Sequence, residues 1–309
     1  MVTRMGHMAM RVPDLDAAVE FQRDILGLVE TERTAGASYM TCNERHHELV
    51  LIQDPVRRGY DHIALEVPDA GTLESVQRRL PAAGGRLLGD VYDGEPGIDR
   101  ALRVQAPGGH VFKLFCGMQT DQVLDPGDRP IKFEHASVKV RNLGAFERFL
   151  KDGLGFEFSD RMGPLASWWH CDQDHHGMAL VLAPNNELAH YAYQYDDLNA
   201  QGRAADRLRA LRDQGLIWHP VRHGPGHNQS MYLHDNDGAL LELSSDLALM
   251  PPAGEYQAHK WPVSPTTLSQ WGGGPPPLRF LLTGFPIVAP DPGRPPYAMR
   301  ADRSQGTAG

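Results

Sequence analysis

Residues 133–140 read FEHASVKV, and a similar stretch stands near the start of the chain, where residues 5–12 read MGHMAMRV. Residues 133–140 alternate apolar and polar side chains, which is typical of a β-strand. The histidines of the two stretches, His7 and His135, are separated by 128 positions. The chain therefore contains two copies of a similar strand, and their separation predicts the offset at which other features should recur.

Four further landmarks recur at an offset of 128 or 129 residues, which indicates an internal duplication. They pair Leu26-Gly27 with Leu154-Gly155, His46-His47 with His175-His176, His62 with His190, and Lys113 with Glu242. We therefore predict two homologous domains, at residues 1–125 and 130–248, followed by an arm at residues 249–309.

Each domain divides again into two units of one strand, one helix and three strands. After the strand at 133–140, apolar residues recur at helical spacing, with Asn142 as the N-cap and Gly155 at the end of the helix. The pattern restarts with a strand at 190–195 and a helix at 198–214. The predicted fold is α+β, with four βαβββ modules paired into two domains, each a curved mixed sheet around a cavity.

The arm is rich in proline, with 12 of the chain's 24 prolines from Pro251 onward. This density argues against a helix or a central strand. We expect an extended arm whose tryptophans, Trp261 and Trp271, pack on the second domain, with a disordered end after about residue 297. A lid or an oligomer contact is the alternative interpretation.

Composition excludes several classes of protein. The net charge of −9 argues against binding to nucleic acid, and the 41% hydrophobic content is that of a globular chain. Three scattered cysteines predict neither a disulfide framework nor a structural zinc site. Residues 1–10 lack the apolar stretch of a signal peptide, and no apolar run reaches the length of a membrane span. These features favour a cytoplasmic enzyme or binding protein.

Three ligating residues of the second domain fall in predicted strands: His135, His190 and Glu242. Because side chains alternate between faces with period two, one register can direct all three inward. Two imidazoles and one carboxylate suit a non-haem iron(II) site with open positions for reactants. Any one of them alone is more often an ordinary core or surface residue, so their joint occurrence at equivalent module positions carries the prediction. The first domain has Lys113 at the carboxylate position, which predicts that its metal site is lost.

The segment Val221–Glu242, VRHGPGHNQSMYLHDNDGALLE, resembles the signature of type I extradiol dioxygenases, a family of the vicinal oxygen chelate superfamily. His175–Leu180 resembles the His-His segment of the same family's second domain. The resemblance covers roughly residues 5–245 and implies a dioxygenase that cleaves a catechol-type ring beside its two hydroxyls, with both atoms of dioxygen incorporated.

The resemblance also implies roles for individual residues. His135, His190 and Glu242 would bind the metal, His176 would act as an acid–base residue beside the oxygen pocket, and His223 and Tyr232 would contact the substrate hydroxyls. It further implies a homo-oligomer. The ligand set does not separate Fe(II) from Mn(II). We interpret His47 and His110 as relics or surface residues, and His175, His227 and His234 as neighbours of the site or surface residues.

Substrate polarity has one indication in the sequence. Met162, Trp168, Trp169 and Trp218 could form an apolar wall, which favours an uncharged ring substituent. Two alternatives share the fold: a metal-dependent glyoxalase-like isomerase, which would need a fourth protein ligand, and a ligand-sequestering protein.

Overall fold

The computed structural model describes residues 1–252, 254–272 and 274–290. The first domain contains two modules. Its elements are β1 (Arg4–Val12), α1 (Leu15–Phe21), β2 (Val29–Arg33), β3 (Ala37–Thr41), β4 (Leu49–Gln53), β5 (Gly59–Glu66), α2 (Ala70–Arg79), β6 (Arg86–Leu87), β7 (Tyr92–Asp93), β8 (Arg100–Gln105) and β9 (Val111–Cys116). α1 continues into a π-helical turn at Gln22–Leu26.

The second domain repeats this order with one strand fewer, because the two-residue β7 has no counterpart in it. Its elements are β10 (Lys132–Val140), α3 (Leu143–Arg148), β11 (Glu157–Met162), β12 (Ala166–His170), β13 (Met178–Leu182), β14 (Glu187–Gln194), α4 (Leu198–Arg212), β15 (Trp218–Arg222), β16 (Gln229–His234) and β17 (Leu240–Ser245). A π-helical turn at Phe149–Leu154 follows α3. The prediction of four βαβββ modules in an α+β fold is confirmed.

The helix after β10 begins and ends where the sequence predicts. The side chain of Asn142 accepts a hydrogen bond from the backbone N–H of Ala145 at 3.0 Å, which caps the first turn. Gly155 has φ 83° and ends the π-helical turn in the left-handed conformation, where glycine carries no steric penalty. The equivalent Gly27 has φ 81° at the end of the first domain's helix.

Two mixed sheets form the molecule, each with nine strands among the described residues. The second runs in the order β15-β16-β17-β14-β10-β13-β12-β11-β18, where β18 (Lys260–Trp261) belongs to the arm. Its central strands β10 and β14 are antiparallel and join the two modules, as β1 and β5 do in the first domain. One hydrophobic cluster extends through both domains, from Met8 and Phe112 to Phe149 and Leu241.

The arm contains two short helices, α5 (Pro265–Leu268) and α6 (Leu278–Leu282), so the expectation that proline excludes a helix there is wrong. Pro265 stands at the first helical position and Pro277 at the N-cap, where the missing N–H costs no hydrogen bond. Trp261 lies in β18, paired with β11 of the second domain. Trp271 is half exposed and lies against Arg222. The expected disorder after residue 297 lies outside the described residues.

None of the helices in the described part of the chain combines the length and hydropathy that a bilayer-spanning segment requires.

Candidate active site

The pairing register of the second sheet brings the three candidate ligands to one face. His135 lies opposite Ala192, and Ala192 lies opposite Glu242 on the other side. Tyr232 in turn lies opposite Glu242. Directly opposed residues share a face of the sheet, and His190 joins them because it stands two positions before Ala192. The small Ala192 side chain leaves the space between them open.

The ligating atoms converge. His135 Nε2 and His190 Nε2 are 3.3 Å apart, and Glu242 Oε2 is 3.2 Å from the first and 3.0 Å from the second. Two ligands at right angles around an octahedral ion, each about 2.1 Å from it, are about 3 Å apart. The spacing therefore fits one face of such an ion. No other group of three His, Cys, Asp or Glu donors comes this close within the described residues.

Neighbouring groups determine which ligand atoms face the centre. Glu134 Oε2 is 2.9 Å from His135 Nδ1 and accepts a hydrogen bond from it, so Nε2 is the nitrogen that faces His190 and Glu242. Asn228 Nδ2 and Ser230 Oγ donate to Glu242 Oε1 at 3.0 Å and 2.5 Å. The other carboxylate oxygen of Glu242, Oε2, faces His135 and His190. The donor set thus suits a divalent cation.

The electrostatics of the cluster favour a positive charge at its centre. Burial opposes charging of His135, but the carboxylates of Glu242 and Glu134 outweigh it and raise the pKa of His135 to about 10. Burial would raise the pKa of Glu242, yet His135 and His190 hold it well below its usual range. The carboxylates of Glu242 and Glu134 make this site negatively charged. A proton on His135, or a divalent cation between His135, His190 and Glu242, supplies the positive charge that balances them.

The sequence reasoning missed Glu134, Asn228 and Ser230. Asn228 and Ser230 lie within the quoted motif, so their position could have suggested a role. Glu134 precedes a ligand in the same strand and should face away from it by alternation. A register irregularity between Phe133 and His135 breaks this alternation, so that the side chains of consecutive residues meet.

A cavity of about 240 Å³ opens beside His135, His190 and Glu242, which together are called the ligand cluster. Its apolar walls come from the second domain and from the arm: Met162, Leu165, Ala166, Trp168, Ala179, Val181, Leu182, Trp218, Pro225, Leu268, Phe280 and Leu281. No Lys or Arg side chain of the described residues lines it. The predicted wall is thus formed by Met162, Trp168 and Trp218. Trp169 is not part of it, because alternation along β12 turns Trp169 to the opposite face, against Phe158.

The three candidate acid–base and substrate residues also border this cavity. His223 Nδ1 lies 2.7 Å from the carbonyl oxygen of Leu268 and must donate to it, so Nε2 accepts from the Tyr232 hydroxyl at 2.7 Å. Burial raises the pKa of Tyr232 well above its usual value, and the nearby Glu242 adds to the effect. Burial holds the pKa of His176 well below its usual value, and His135 and His175 add to this. Tyr232 is therefore a proton donor and His176 a neutral imidazole.

The equivalent cluster of the first domain has a different composition. His62 Nε2 lies 3.4 Å from His7 Nε2, which repeats the histidine pair. Lys113 takes the carboxylate position and forms a buried ion pair with Glu95. The surface interpretation of His47 and His110 is wrong, because both are fully buried: His47 packs on His7, and His110 lies between Tyr60 and the Lys139 carbonyl.

The three histidines that the sequence placed near the site or on the surface differ in exposure. His175 is buried against His176, His227 is exposed, and His234 is half-buried.

The family model of the glyoxalase/bleomycin resistance protein/dioxygenase superfamily matches this chain twice, at residues 4–114 and 132–243. The chain belongs to this superfamily. The two matches coincide with the two sheets, so the internal duplication seen in the sequence is a duplication of the family's own domain.

Relatives of known activity point to one branch of the superfamily. The chain is 28% identical, over 79% of its length and 85% of the relative's, to the manganese-dependent 2,3-dihydroxybiphenyl 1,2-dioxygenase of Geobacillus genomosp. 3. It is 26% identical, over 78% and 85% of the two lengths, to a metapyrocatechase of Pseudomonas sp. strain CF600. The assignment to the extradiol dioxygenases made from the sequence is confirmed. The prediction that the chain is a metal-dependent oxidoreductase of this class is confirmed as well.

Two solved structures share the whole architecture. The Mn(II)-bound glyoxalase from Novosphingobium aromaticivorans superposes with a TM-score of 0.82 at 25% identity, over 98% of this chain and 99% of that one. The homoprotocatechuate 2,3-dioxygenase from Arthrobacter globiformis superposes with a TM-score of 0.83 at 23% identity, over 93% and 92% of the two chains. The second likeness concerns the fold alone.

Proposed function

We propose that this chain opens the ring of an uncharged, apolar catechol beside its two hydroxyls, with a divalent metal held by His135 Nε2, His190 Nε2 and Glu242 Oε2. The observation that carries the proposal is the convergence of these three atoms at 3.0–3.3 Å on the wall of an apolar cavity. Three ligands on one face leave the remaining positions of an octahedral ion free for reactants.

The metal, when bound, supplies the electron transfer between the catechol and dioxygen. We propose Fe(II) as the resident ion. Mn(II) is the alternative, because the same two imidazoles and one carboxylate suit both ions and a relative is manganese-dependent.

The chain's own residues handle protons and orientation. In the free enzyme His223 Nε2 accepts a hydrogen bond from the Tyr232 hydroxyl. A catechol hydroxyl that replaces this contact can donate to His223 Nε2 and accept from Tyr232. His176, a neutral imidazole at the cavity wall, takes or returns a proton during ring opening. The tryptophan and phenylalanine walls exclude water and hold the ring in place.

The apolar lining supports an uncharged substituent. A substrate carboxylate in this cavity would lose its hydration without a Lys or Arg partner from the described lining residues, and such a burial is costly. We therefore expect catechol, alkyl catechols and aryl catechols to be better substrates than carboxylated ones.

The test uses the full chain, freed of metal and reloaded without oxygen with Fe(II) or Mn(II). Catechol, 3-methylcatechol, 2,3-dihydroxybiphenyl and 3,4-dihydroxyphenylacetate are then added with air, while oxygen uptake and yellow absorbance are recorded. We expect one dioxygen consumed per ring cleaved, with the carboxylated compound the poorest substrate. Binding without oxygen uptake would indicate a sequestering protein instead.

A glyoxalase-like isomerase is the second candidate, because the glyoxalase from Novosphingobium aromaticivorans is a structural neighbour. Against it stands the number of ligands: the described residues bring three donors together, whereas this activity is expected to use a fourth. Metal-dependent isomerisation of an oxoaldehyde adduct without oxygen consumption would favour the isomerase.

A further inference from the structure

A series of hydrogen bonds leads from His176 away from the cavity into the protein. His176 Nδ1 lies 3.0 Å from His175 Nδ1, and the two rings are perpendicular. On its other side, His175 Nε2 lies 3.1 Å from the Tyr256 hydroxyl and 3.3 Å from Asp160 Oδ2. The side chains of His175 and Asp160 are only 3% and 2% exposed, so water does not compete for the contact between them.

The arm supplies the partners of Asp160. The Tyr256 hydroxyl and the His259 backbone N–H donate to Asp160 Oδ1 at 2.8 and 2.7 Å, and Trp261 Nε1 donates to Oδ2 at 2.7 Å. Burial would raise the pKa of Asp160, but these donors and His175 lower it, so the carboxylate is an anion. The arm thus fixes one buried negative charge behind the active site.

The polarity of this series determines where the protons sit. The Tyr256 hydroxyl donates its hydrogen bond to Asp160 Oδ1, so the Tyr256 oxygen, like Asp160 Oδ2, can only accept from His175 Nε2. With the His175 proton at Nε2, its Nδ1 is the acceptor of the 3.0 Å contact, so the proton of that contact is on His176 Nδ1. The other ring nitrogen of His176, Nε2, is left with the lone pair.

The first domain provides an internal comparison. His46 and His47 repeat the contact, with 2.9 Å between their Nδ1 atoms, and His46 Nε2 lies 3.3 Å from Glu32 Oε2. Glu32 stands 128 positions before Asp160. Its side chain is 32% exposed, against 2% for Asp160. The fold therefore repeats the carboxylate and the histidine pair, and the arm adds the burial and the three donors only in the domain with the ligand cluster.

We propose that Asp160 and His175 are positioning residues that fix the ring orientation and tautomer of His176, and that Tyr256, His259 and Trp261 hold Asp160 for this purpose. The inference rests on the proposed function, since it concerns the same site. It makes the arm a part of the structure that orients His176, and it assigns the lone pair of the His176 ring to Nε2.

The test compares full-length variants that alter this series with one that does not. Asp160→Asn removes the charge. Trp261→Phe removes one donor to Asp160, and its matched control, Trp271→Phe, makes the same change at a half-exposed tryptophan of the arm. Tyr256→Phe serves as a second mild variant should Asp160→Asn fail to fold.

The first readout is ¹⁵N NMR of the His176 ring in the full chain without paramagnetic metal, assigned with His176→Gln. We expect a protonated Nδ1 and an unprotonated Nε2 in the wild type and in Trp271→Phe. The other tautomer should become populated in Asp160→Asn and, in part, in Trp261→Phe and Tyr256→Phe. A wild-type ring protonated at Nε2, or an unchanged tautomer in these variants, would overturn the proposal.

The second readout is steady-state kinetics of the metal-loaded enzyme. We expect kcat of Asp160→Asn to fall by about 10- to 100-fold, with unchanged metal content and an unchanged KM for catechol. Equal kcat in Trp261→Phe and Trp271→Phe would count against the proposal. If the wild type cleaves no catechol, the proposed function fails while the NMR result still decides the positioning role. An active wild type with a fully active Asp160→Asn rejects the positioning role alone.

Discussion

Lys113 and Glu242 occupy the same position in the two domains. Lys113 lies opposite Ala64, two residues after His62, and Glu242 lies opposite Ala192, two residues after His190. A cation thus takes the place of a carboxylate in one of two otherwise equivalent registers. In the first domain the ammonium group pairs with Glu95, whereas the second domain leaves Glu242 facing two imidazoles.

The ion pair of Lys113 with Glu95 is fully buried, so removing one partner leaves the other charge without compensation. We expect Lys113→Met to lower the free energy of unfolding by about 3–5 kcal/mol, measured by chemical unfolding. The double variant Lys113→Met/Glu95→Gln should recover a large part of this loss. If the single and double variants were equally stable, the unpaired charge of Glu95 would not be the cause of the loss in Lys113→Met.

Glu242→Gln keeps the shape of the side chain and removes the negative charge from the ligand cluster. We expect the variant to retain no stoichiometric metal after desalting and to show no ring cleavage, as measured by elemental analysis and oxygen uptake. Glu157→Gln, at an exposed position of β11, should keep both. Normal metal content in Glu242→Gln would refute its assignment as a ligand.

Tyr232→Phe removes the hydroxyl that donates to His223 Nε2. Because the proposed role is proton handling at the substrate hydroxyl, we expect kcat/KM to fall by about 10²-fold with unchanged metal content. The control is Tyr195→Phe, since Tyr195 is equally buried in the same domain and its hydroxyl has no hydrogen-bond partner among the described residues. Equal activity of the two variants would exclude the role of Tyr232.

Phe280 of α6 lines the cavity and packs edge-on against Tyr232 with ring centroids 4.8 Å apart. Phe280→Ala should widen the cavity and shift the ratio of kcat/KM values for 2,3-dihydroxybiphenyl and catechol toward the larger substrate by about tenfold. Leu282→Ala, on the same helix and 71% exposed, should leave the ratio unchanged. A shift in both variants would point to a general loosening of the arm.

Asp235 gives a pH dependence of stability. Burial and the neighbouring Asp237 raise its pKa to about 7. A raised pKa means that the neutral form is favoured in the folded state, so this contribution to stability is complete below about pH 4 and is lost as pH rises through about 7. The melting temperature of the wild type minus that of Asp235→Asn should therefore decrease from pH 5 to pH 8. A constant difference would show that Asp235 does not titrate there.

The repeat and the convergence of His135, His190 and Glu242 could be predicted from local sequence for a simple reason. Side chains of a strand alternate with period two, and the same module recurs, so one spacing relation predicts all three positions. The same reasoning failed for Trp169 only because two adjacent tryptophans on one strand cannot both face the cavity. Strict alternation also could not predict the role of Glu134, because its contact with His135 depends on an irregularity in the pairing of β10 with β14.

By itself, the sequence determined the four modules, the family and the residues that converge on the ligand cluster, because these follow from repeated local patterns. Only the tertiary structure decided what the proline-rich arm does. Trp261 donates to Asp160 across 101 positions of the chain, and Phe280 closes a cavity built from strands that lie far from it in sequence. Contacts at that separation depend on how the arm folds back over the second sheet, and no local periodicity of the arm encodes that path.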